Sequence, residues 1–430
     1  MSEAISIIVF LSVLFFLLGS GIWIGASLLA TAVIGMFLFT STPVGDAMAL
    51  TIWGDQSSWT LTALPLFIWM GEILYRTKLS ETLFRGLAPF MGKLPGGLLH
   101  VNVGASAIFA AISGSSAATV ATVGKMSIPE LSKRKYPEKL IIGTLSGAGT
   151  LGLLIPPSIS MIIYGVTVNE SIAKLFMASM IPGLALAVCF MTYIAIWGLM
   201  NKDAVTKTPS LILSEKIKAL FDLLPVLMLI SGVIGSIYSG IATATEAAAL
   251  GVLGSIILSI AQGTLSKNSF IESILGAVKT SSMIMFILMG SSFLALTMGF
   301  TGIPKALAVT IVNWELSPFS LIAILTIFYI LLGMFLDGIS SIVLTMAVIE
   351  PMVRAAGFDM LWFGVYLMIV VEMAQITPPV GFNLFVLQGM TGRDIGYIAK
   401  ASMPMFFVMC AFIGILVLIP ELATWLPSVL

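Results

Sequence analysis

Two short stretches of this chain place small, oxygen-rich side chains deep inside apolar sequence. The first is Ser113-Gly114-Ser115-Ser116, with Thr119 one turn on. The second is Asp337-Gly338, with Ser340, Ser341 and Thr345 close behind. Each is followed by a Pro-Pro pair, Pro156-Pro157 and Pro378-Pro379, again within an apolar run. Proline removes a backbone donor and frees carbonyls one turn earlier. Hydroxyls and freed carbonyls are hard oxygen ligands, matched to Na+ rather than to a soft metal. Interrupted helices also point their N-termini at such a spot, where the partial positive charge suits a carboxylate. The chemistry to expect is capture of a small cation together with an organic anion.

The first constellation comprises Ser113, Gly114, Ser115, Ser116, Thr119, Gly149, Gly152 and Ser158, and the second Asp337, Gly338, Ser340, Ser341, Thr345, Ala374, Thr377, Gly381 and Asn383. Asp337 is an ionisable group at membrane depth, where such a group is a functional candidate by default. It could serve as a cation ligand, a proton carrier or the N-cap of the helix that follows. Glu372, under two turns before Pro378, is placed to face the same cavity. Glu246 completes Thr243-Ala244-Thr245-Glu246, a capping-box pattern. Glu72 with Arg76, and Glu350 with Arg354, have the spacing of helical ion pairs.

The two constellations are copies. Pro378 follows Pro156 by 222 residues, and the same offset carries Pro129 onto Pro351, Pro182 onto Pro404 and Ser115 onto Asp337. Phe67-Ile68-Trp69-Met70-Gly71 resembles Phe286-Ile287-Leu288-Met289-Gly290 at an offset of 219. Helices broken at membrane depth are tolerated only where they face protein or a watery cavity.

Composition sets the surroundings. The chain has 430 residues, of which 59% are hydrophobic and 9% charged, with a mean hydropathy of +1.11. Apolar runs recur along its whole length, so a polytopic, all-α membrane protein embedded in a lipid bilayer is expected. The run from Ile5 to Leu18 lacks a basic n-region and reads as a retained span rather than a cleaved signal. Zero net charge argues against a nucleic-acid partner. A single histidine, His100, excludes a His-His zinc motif, and no phosphate-loop motif suggests ATP as the energy source. Cys189 and Cys410 lie in apolar runs and read as packed or lipid-facing thiols.

Charge orients the chain. Clusters at Arg76–Lys93, Lys125–Lys139 and Lys202–Lys218 are assigned to the inside, and the acidic stretch Pro43–Trp59 to the outside. Residues 97–128, between two inside clusters, must enter and return. Arms of about 12 to 16 residues reach roughly 18–24 Å, short of a ~30 Å hydrocarbon core. A re-entrant helical hairpin with residues 113–116 at its tip fits both constraints. By parity a second hairpin, 318–353, enters from the other side. The expected organisation is scaffold spans in 1–59, then a first transport repeat in 60–200 with hairpin 97–128 and broken helix 139–167. Residues 201–279 hold scaffold spans and, at 209–222, an amphipathic segment read as an interfacial helix, the alternative being an extension of the next span. A second transport repeat fills 280–430, with hairpin 318–353 and broken helix 361–388. Single spans are expected at 280–300 and 402–426. Equivalent segments then run in opposite directions, an inverted-topology repeat.

Four stretches together carry a resemblance: Ile112-Ser113-Gly114-Ser115-Ser116-Ala117-Ala118-Thr119, Ile155-Pro156-Pro157-Ser158, Thr243-Ala244-Thr245-Glu246-Ala247-Ala248-Ala249 and Ile376-Thr377-Pro378-Pro379-Val380-Gly381. The chain resembles, over its full length, the large membrane subunit of tripartite ATP-independent periplasmic (TRAP) transporters. The resemblance implies a protein of the bacterial or archaeal inner membrane, not an enzyme. It implies Na+-driven uptake of an organic acid by an elevator movement, in a fold similar to divalent-anion:sodium symporters. It implies two partners, a small four-span membrane subunit and a periplasmic substrate-binding protein. It further implies two or more Na+ ions, each between a hairpin tip and the adjacent broken helix. Carried onto this chain, Ser113, Gly114, Ser115 and Gly152 would hold one ion, and Asp337, Gly338, Ala374 and Thr377 the other. Ser116, Thr119, Ser158, Ser340, Ser341 and Asn383 are then the substrate-binding candidates. No arginine stands at either tip to clamp a carboxylate. General likeness leans toward a sialic-acid-type sugar acid over a C4-dicarboxylate.

Three other readings share some of these features. A stand-alone Na+- or H+-coupled anion symporter would use the same broken helices. An intramembrane hydrolase would need a second carboxylate beside Asp337, or a histidine to activate a serine. A passive channel has no need of two broken hairpins.

Overall fold

Apolar runs closed by Ser, Thr, Asp and Pro residues fold into helices. The structure, a computed structural model, describes residues 3–76, 79–202, 213–304, 306, 309 and 317–430. Nineteen α-helices occur among the described residues. Six of them contain a stretch long and apolar enough to cross a membrane.

The N-terminal part contains α1 (Glu3–Gly19), α2 (Ile24–Phe39), α3 (Val44–Gln56), α4 (Ala63–Tyr75) and α5 (Leu79–Met91). The first hairpin is α6 (Leu99–Ser113) and α7 (Ser116–Lys133), and the first broken helix is α8 (Glu138–Gly149) and α9 (Ile159–Thr167), separated by a 3-10 turn at Thr150–Leu153. Then come α10 (Ile172–Met200), α11 (Leu213–Tyr238), α12 (Ala244–Ala261) and α13 (Lys267–Thr301). The second hairpin is α14 (Pro318–Gly333) and α15 (Gly338–Ala355), and the second broken helix is α16 (Met360–Gln375) and α17 (Phe382–Thr391). The chain closes with α18 (Ile395–Leu418) and α19 (Glu421–Val429).

Helices α2, α4, α12 and α13 pack on one another. Glycines permit the close approach: a β-carbon on Gly290 would lie 2.5 Å from the Gly25 carbonyl oxygen, and one on Gly25 would lie 2.8 Å from the carbonyl oxygen of Phe286. Small residues at helix crossings are the usual means of association in lipid. The capping box of α12 forms as its sequence suggests, with Thr243 and Glu246 exchanging hydrogen bonds.

Two ion pairs fix the course of the broken helices. At one end, Arg393, just after α17, forks onto both oxygens of Glu138 at the start of α8, at 2.8 Å each. At the other, Arg354 lies 3.5 Å from Glu170 and donates to the Val168 carbonyl at 3.0 Å. There too the Tyr164 hydroxyl of α9 donates to the Met360 carbonyl at the start of α16, at 2.8 Å. The two broken helices therefore run antiparallel, as inverted repeats require. They also interlock: α17 packs on α7 of the first hairpin, and α9 packs on α15 of the second.

Several expectations need correction. Residues 209–212 lie outside the described residues, and 213–222 form no separate interfacial helix; they are the first part of the continuous α11. The marked amphipathic helix is α5 instead, where Leu83 and Phe84 are buried and Arg85 is exposed. Its Gly86 sits against Leu223 of α11, so a β-carbon there would approach Leu223 Cγ to 2.4 Å. The span expected at 280–300 begins at Lys267, because Ser266 and Ser269 form a capping box and Trp69 donates to Ser273 at 3.2 Å. Helix α7 continues through Pro129 to Lys133, past the expected end of the hairpin. The last span stops at Leu418, and a short helix follows Pro420.

Candidate functional site

Each hairpin tip is built as a turn followed by a capped helix. At the first, Gly114 adopts φ +55°, a left-handed turn that glycine accommodates without strain. The Ser115 hydroxyl then caps α7 by accepting from the Ala118 amide. Ser113 bonds the Thr119 hydroxyl at 3.1 Å, and the Thr119 hydroxyl donates to the Ser115 carbonyl at 2.7 Å. At the second tip, Asp337 caps α15, accepting from the amides of Ile339 at 3.1 Å and Ser340 at 3.3 Å. The Ser340 hydroxyl also donates to the Asp337 carboxylate in a short bond. Among the roles open to Asp337 in sequence, capping is therefore realised.

The tips sit on the breaks. A β-carbon on Gly152 would stand 2.6 Å from the Ser116 amide nitrogen, and one on Gly114 would stand 3.2 Å from the Pro157 carbonyl oxygen. Ser158 closes the first break, donating to the Leu153 carbonyl at 2.6 Å and capping α9. In the second repeat, Gln375 donates to the Leu336 carbonyl at 3.3 Å, and Gly333 lies under Ala374, whose Cβ is 2.6 Å from the position of an added β-carbon. The Thr377 hydroxyl returns to the Met373 carbonyl at 2.7 Å. Both Pro-Pro bonds are cis. Thus Ser113, Gly114, Ser115, Ser116, Thr119, Gly152 and Ser158 meet at one tip and break. Asp337, Gly338, Ser340, Ser341, Ala374 and Thr377 gather at the other.

The two gatherings touch. A β-carbon on Gly338 would meet Leu153 of the first break and Val371 of α16. Asn383 lies near the start of α17, just after the second break, in the helix that packs on α7 of the first hairpin. Its side chain is fully buried, and neither amide atom has a hydrogen-bond partner. Burial is unequal between the breaks: Pro156 and Pro157 are buried, whereas Pro378 is half-buried and Pro379 exposed.

Sequence reading left Gln375 out of the site and gave Glu372 only as facing the cavity. Gln375 ties the second break to its tip, a role its position in an apolar run did not betray. Glu372 of α16 is fully buried and neither oxygen has a hydrogen-bond partner. The polar groups beside it, the Ser116 hydroxyl and the Leu153 main chain, belong to the first repeat, and neither meets full hydrogen-bond geometry. An intramembrane carboxylate was the available signal.

A cavity of about 840 Å³ opens beside these elements, at the end where Arg354 meets Glu170. Asp55, Glu170, Thr245, Ser291 and Glu350 line part of it. It separates α12 and α13 from the α9–α10 connection and α15.

Antiparallel broken helices, each with a hairpin tip seated on its break, define a multi-pass membrane transport protein. The chain belongs to the family described as the tripartite ATP-independent periplasmic transporter, DctM component, which matches residues 11–422. It is 31% identical to the C4-dicarboxylate TRAP transporter large permease protein DctM of Rhodobacter capsulatus over 99% of both chains. It is 27% identical to the sialic acid TRAP transporter large permease protein SiaM of Vibrio cholerae over 96% of both. A longer relative, the isethionate TRAP transporter permease protein DctMQ of Oleidesulfovibrio alaskensis, is 30% identical, with 95% of this chain matching 64% of that one. The crystal structure of the Alcanivorax borkumensis YdaH transporter superposes with a TM-score of 0.62 and 13% identity over 87% of each chain, a likeness of fold. The protein is a permease subunit of the cell inner membrane, not an enzyme, and its family carries out secondary transport of organic acids.

Proposed function

We propose that this chain carries an organic acid inward together with Na+, by an elevator movement of its two hairpins and broken helices against the helices packed around α13. The observation that supports this best is the seating of each tip on its own break. That seating gathers hydroxyls, a carboxylate and helix-end main chain without any soft ligand, a set suited to Na+. One cation is assigned to Ser113, Gly114, Ser115 and Gly152, and another to Asp337, Gly338, Ala374 and Thr377.

The substrate carboxylate is assigned to the space between the tips, with Ser116, Thr119, Ser158, Ser340, Ser341 and Asn383 as its polar contacts. The N-termini of α7 and α15 supply positive potential in place of an arginine. The short arms support a re-entrant reading of the hairpins: α6, with 15 residues, spans only about 22 Å, and α14, with 16, about 24 Å. The unequal exposure of the two breaks fits a state open on one side, as alternating access requires. The polar cavity near Glu350 fits an outer vestibule into which a periplasmic binding protein releases its ligand. The extra length of the DctMQ relative is compatible with a second, small membrane subunit working with this one. The substrate class is an organic acid of the kind named for the relatives, a C4-dicarboxylate or a sialic acid.

The test is uptake into proteoliposomes containing this chain and its small subunit, offered labelled succinate or sialic acid. Uptake should require both an inward Na+ gradient and the binding protein. Uptake with Na+ alone would replace this reading with a stand-alone symporter, and uptake indifferent to Na+ would remove the coupling.

A further inference from the structure

Glu372 is the one carboxylate in the described residues that is fully buried with both oxygens unpartnered. An ionised carboxylate without hydrogen bonds or a counter-charge is among the costliest groups to bury. Its position in the fold suggests what offsets that cost. It belongs to the second repeat but faces the first, beside the Ser116 hydroxyl and Leu153. Those two residues are the chain neighbours of Ser115 and Gly152, whose backbones are in contact.

The repeat offset sharpens the point. The position equivalent to Glu372 is Thr150, which is neutral and satisfied locally, its hydroxyl donating to the Gly147 carbonyl at 2.6 Å. The negative charge is therefore present in one direction only, from repeat two toward the tip and break of repeat one. That tip and break offer only neutral oxygens of their own, Ser113, Ser115 and the main chain around Gly152.

We propose that Glu372 supplies the fixed negative charge for the cation held at the first tip, reaching it from the opposite repeat. This rests on the Na+ reading given above. The cation neutralises the carboxylate, and the carboxylate supplies the net charge that the hydroxyl and carbonyl ligands lack. Occupancy of the first site then also ties α16 to α7, adding a link between the two inverted repeats.

The experiment uses the complete complex of large and small subunits. Half-saturating Na+ is measured twice, from uptake in proteoliposomes and from the rise in melting temperature on adding Na+ in detergent. Glu372→Gln keeps shape and removes charge. It should raise half-saturating Na+ by about tenfold or more in both measurements, as loss of one charge-assisted contact implies. Glu372→Asp keeps the charge but withdraws it by one methylene and should fall between the two. If Glu372→Gln does not fold, Glu372→Asp decides: a weaker Na+ response supports the assignment, and an unchanged one overturns it. Unchanged Na+ dependence in Glu372→Gln also overturns it while leaving Na+ coupling intact. A wild-type complex with no Na+ response in either measurement overturns the coupling reading and this assignment with it.

Discussion

The backbone of Gly152 lies directly against that of Ser115. A β-carbon built on Gly152 would stand 2.6 Å from the Ser115 carbonyl carbon and 2.7 Å from its oxygen. The opposing atoms are main chain at a hairpin tip, and they cannot rotate aside as a side chain would.

Gly152→Ala should therefore push the first tip off its break. Overpacking of this kind costs about 1–3 kcal/mol, and under the proposed coupling the displaced tip should weaken uptake strongly. Gly338→Ala makes a useful comparison, since its added carbon would meet only Leu153 and Val371 side-chain atoms, at 2.9 and 3.0 Å. Uptake by Gly338→Ala should exceed that of Gly152→Ala, and the reverse order would show that the first tip is not the more constrained.

Asp337 combines a demonstrated cap with an assigned ligand role, and two substitutions separate them. Asp337→Asn retains an acceptor oxygen for α15, whereas Asp337→Ala removes the cap at a cost of about 1 kcal/mol. Thermal melting should fall for Ala and change little for Asn. Uptake should fall for both. Full uptake by Asp337→Asn would leave this residue as a cap alone.

The buried amide of Asn383 makes no hydrogen bond that a substitution could break. Asn383→Leu should leave melting temperature unchanged or raise it, because burying an unsatisfied polar group is unfavourable. Uptake should nevertheless drop, with the larger effect on the apparent KM if the amide meets substrate. Normal uptake would remove Asn383 from the substrate contacts.

The two end-marking ion pairs supply a topology test. Cys189 and Cys410 are free thiols, so each is first replaced by alanine, which should be silent. Single cysteines at Glu138 or Arg393 should then react with an impermeant maleimide only from the cytoplasmic side. Those at Glu170 or Arg354 should react only from the periplasmic side. Labelling of Glu138 and Glu170 cysteines from the same side would break the inverted arrangement. Loss of the Arg393–Glu138 pair, with side chains 53% and 40% exposed, should itself leave stability little changed, because solvent screens an exposed pair.

Much of this architecture was legible because local rules and duplication acted together. A constant 222-residue offset between proline pairs, together with positive clusters on either side of short arms, located both hairpins and both broken helices. Capping chemistry is equally local: Thr243 with Glu246, and Asp337 ahead of α15, need only a few residues of chain to be recognised. Helix extents were less legible. The polar residues 267–279 continue α13 because Ser266 starts the helix and Trp69 bonds Ser273 across the packing interface. Residues 213–222 join α11 although their composition resembled a surface helix.

Sequence by itself determined that the chain is an all-helical membrane protein with a duplicated, interrupted core, since apolar length, charge placement and repeated prolines are properties of the chain alone. Only the tertiary structure decided how the copies interlock. Packing placed α17 on the first hairpin and set Glu372 beside Ser116. Those are contacts between residues more than 200 positions apart, and no periodicity or local propensity records them. They arise when two antiparallel copies each bury an interrupted helix against the other, so that main-chain ends left open in one repeat are met by side chains of its counterpart.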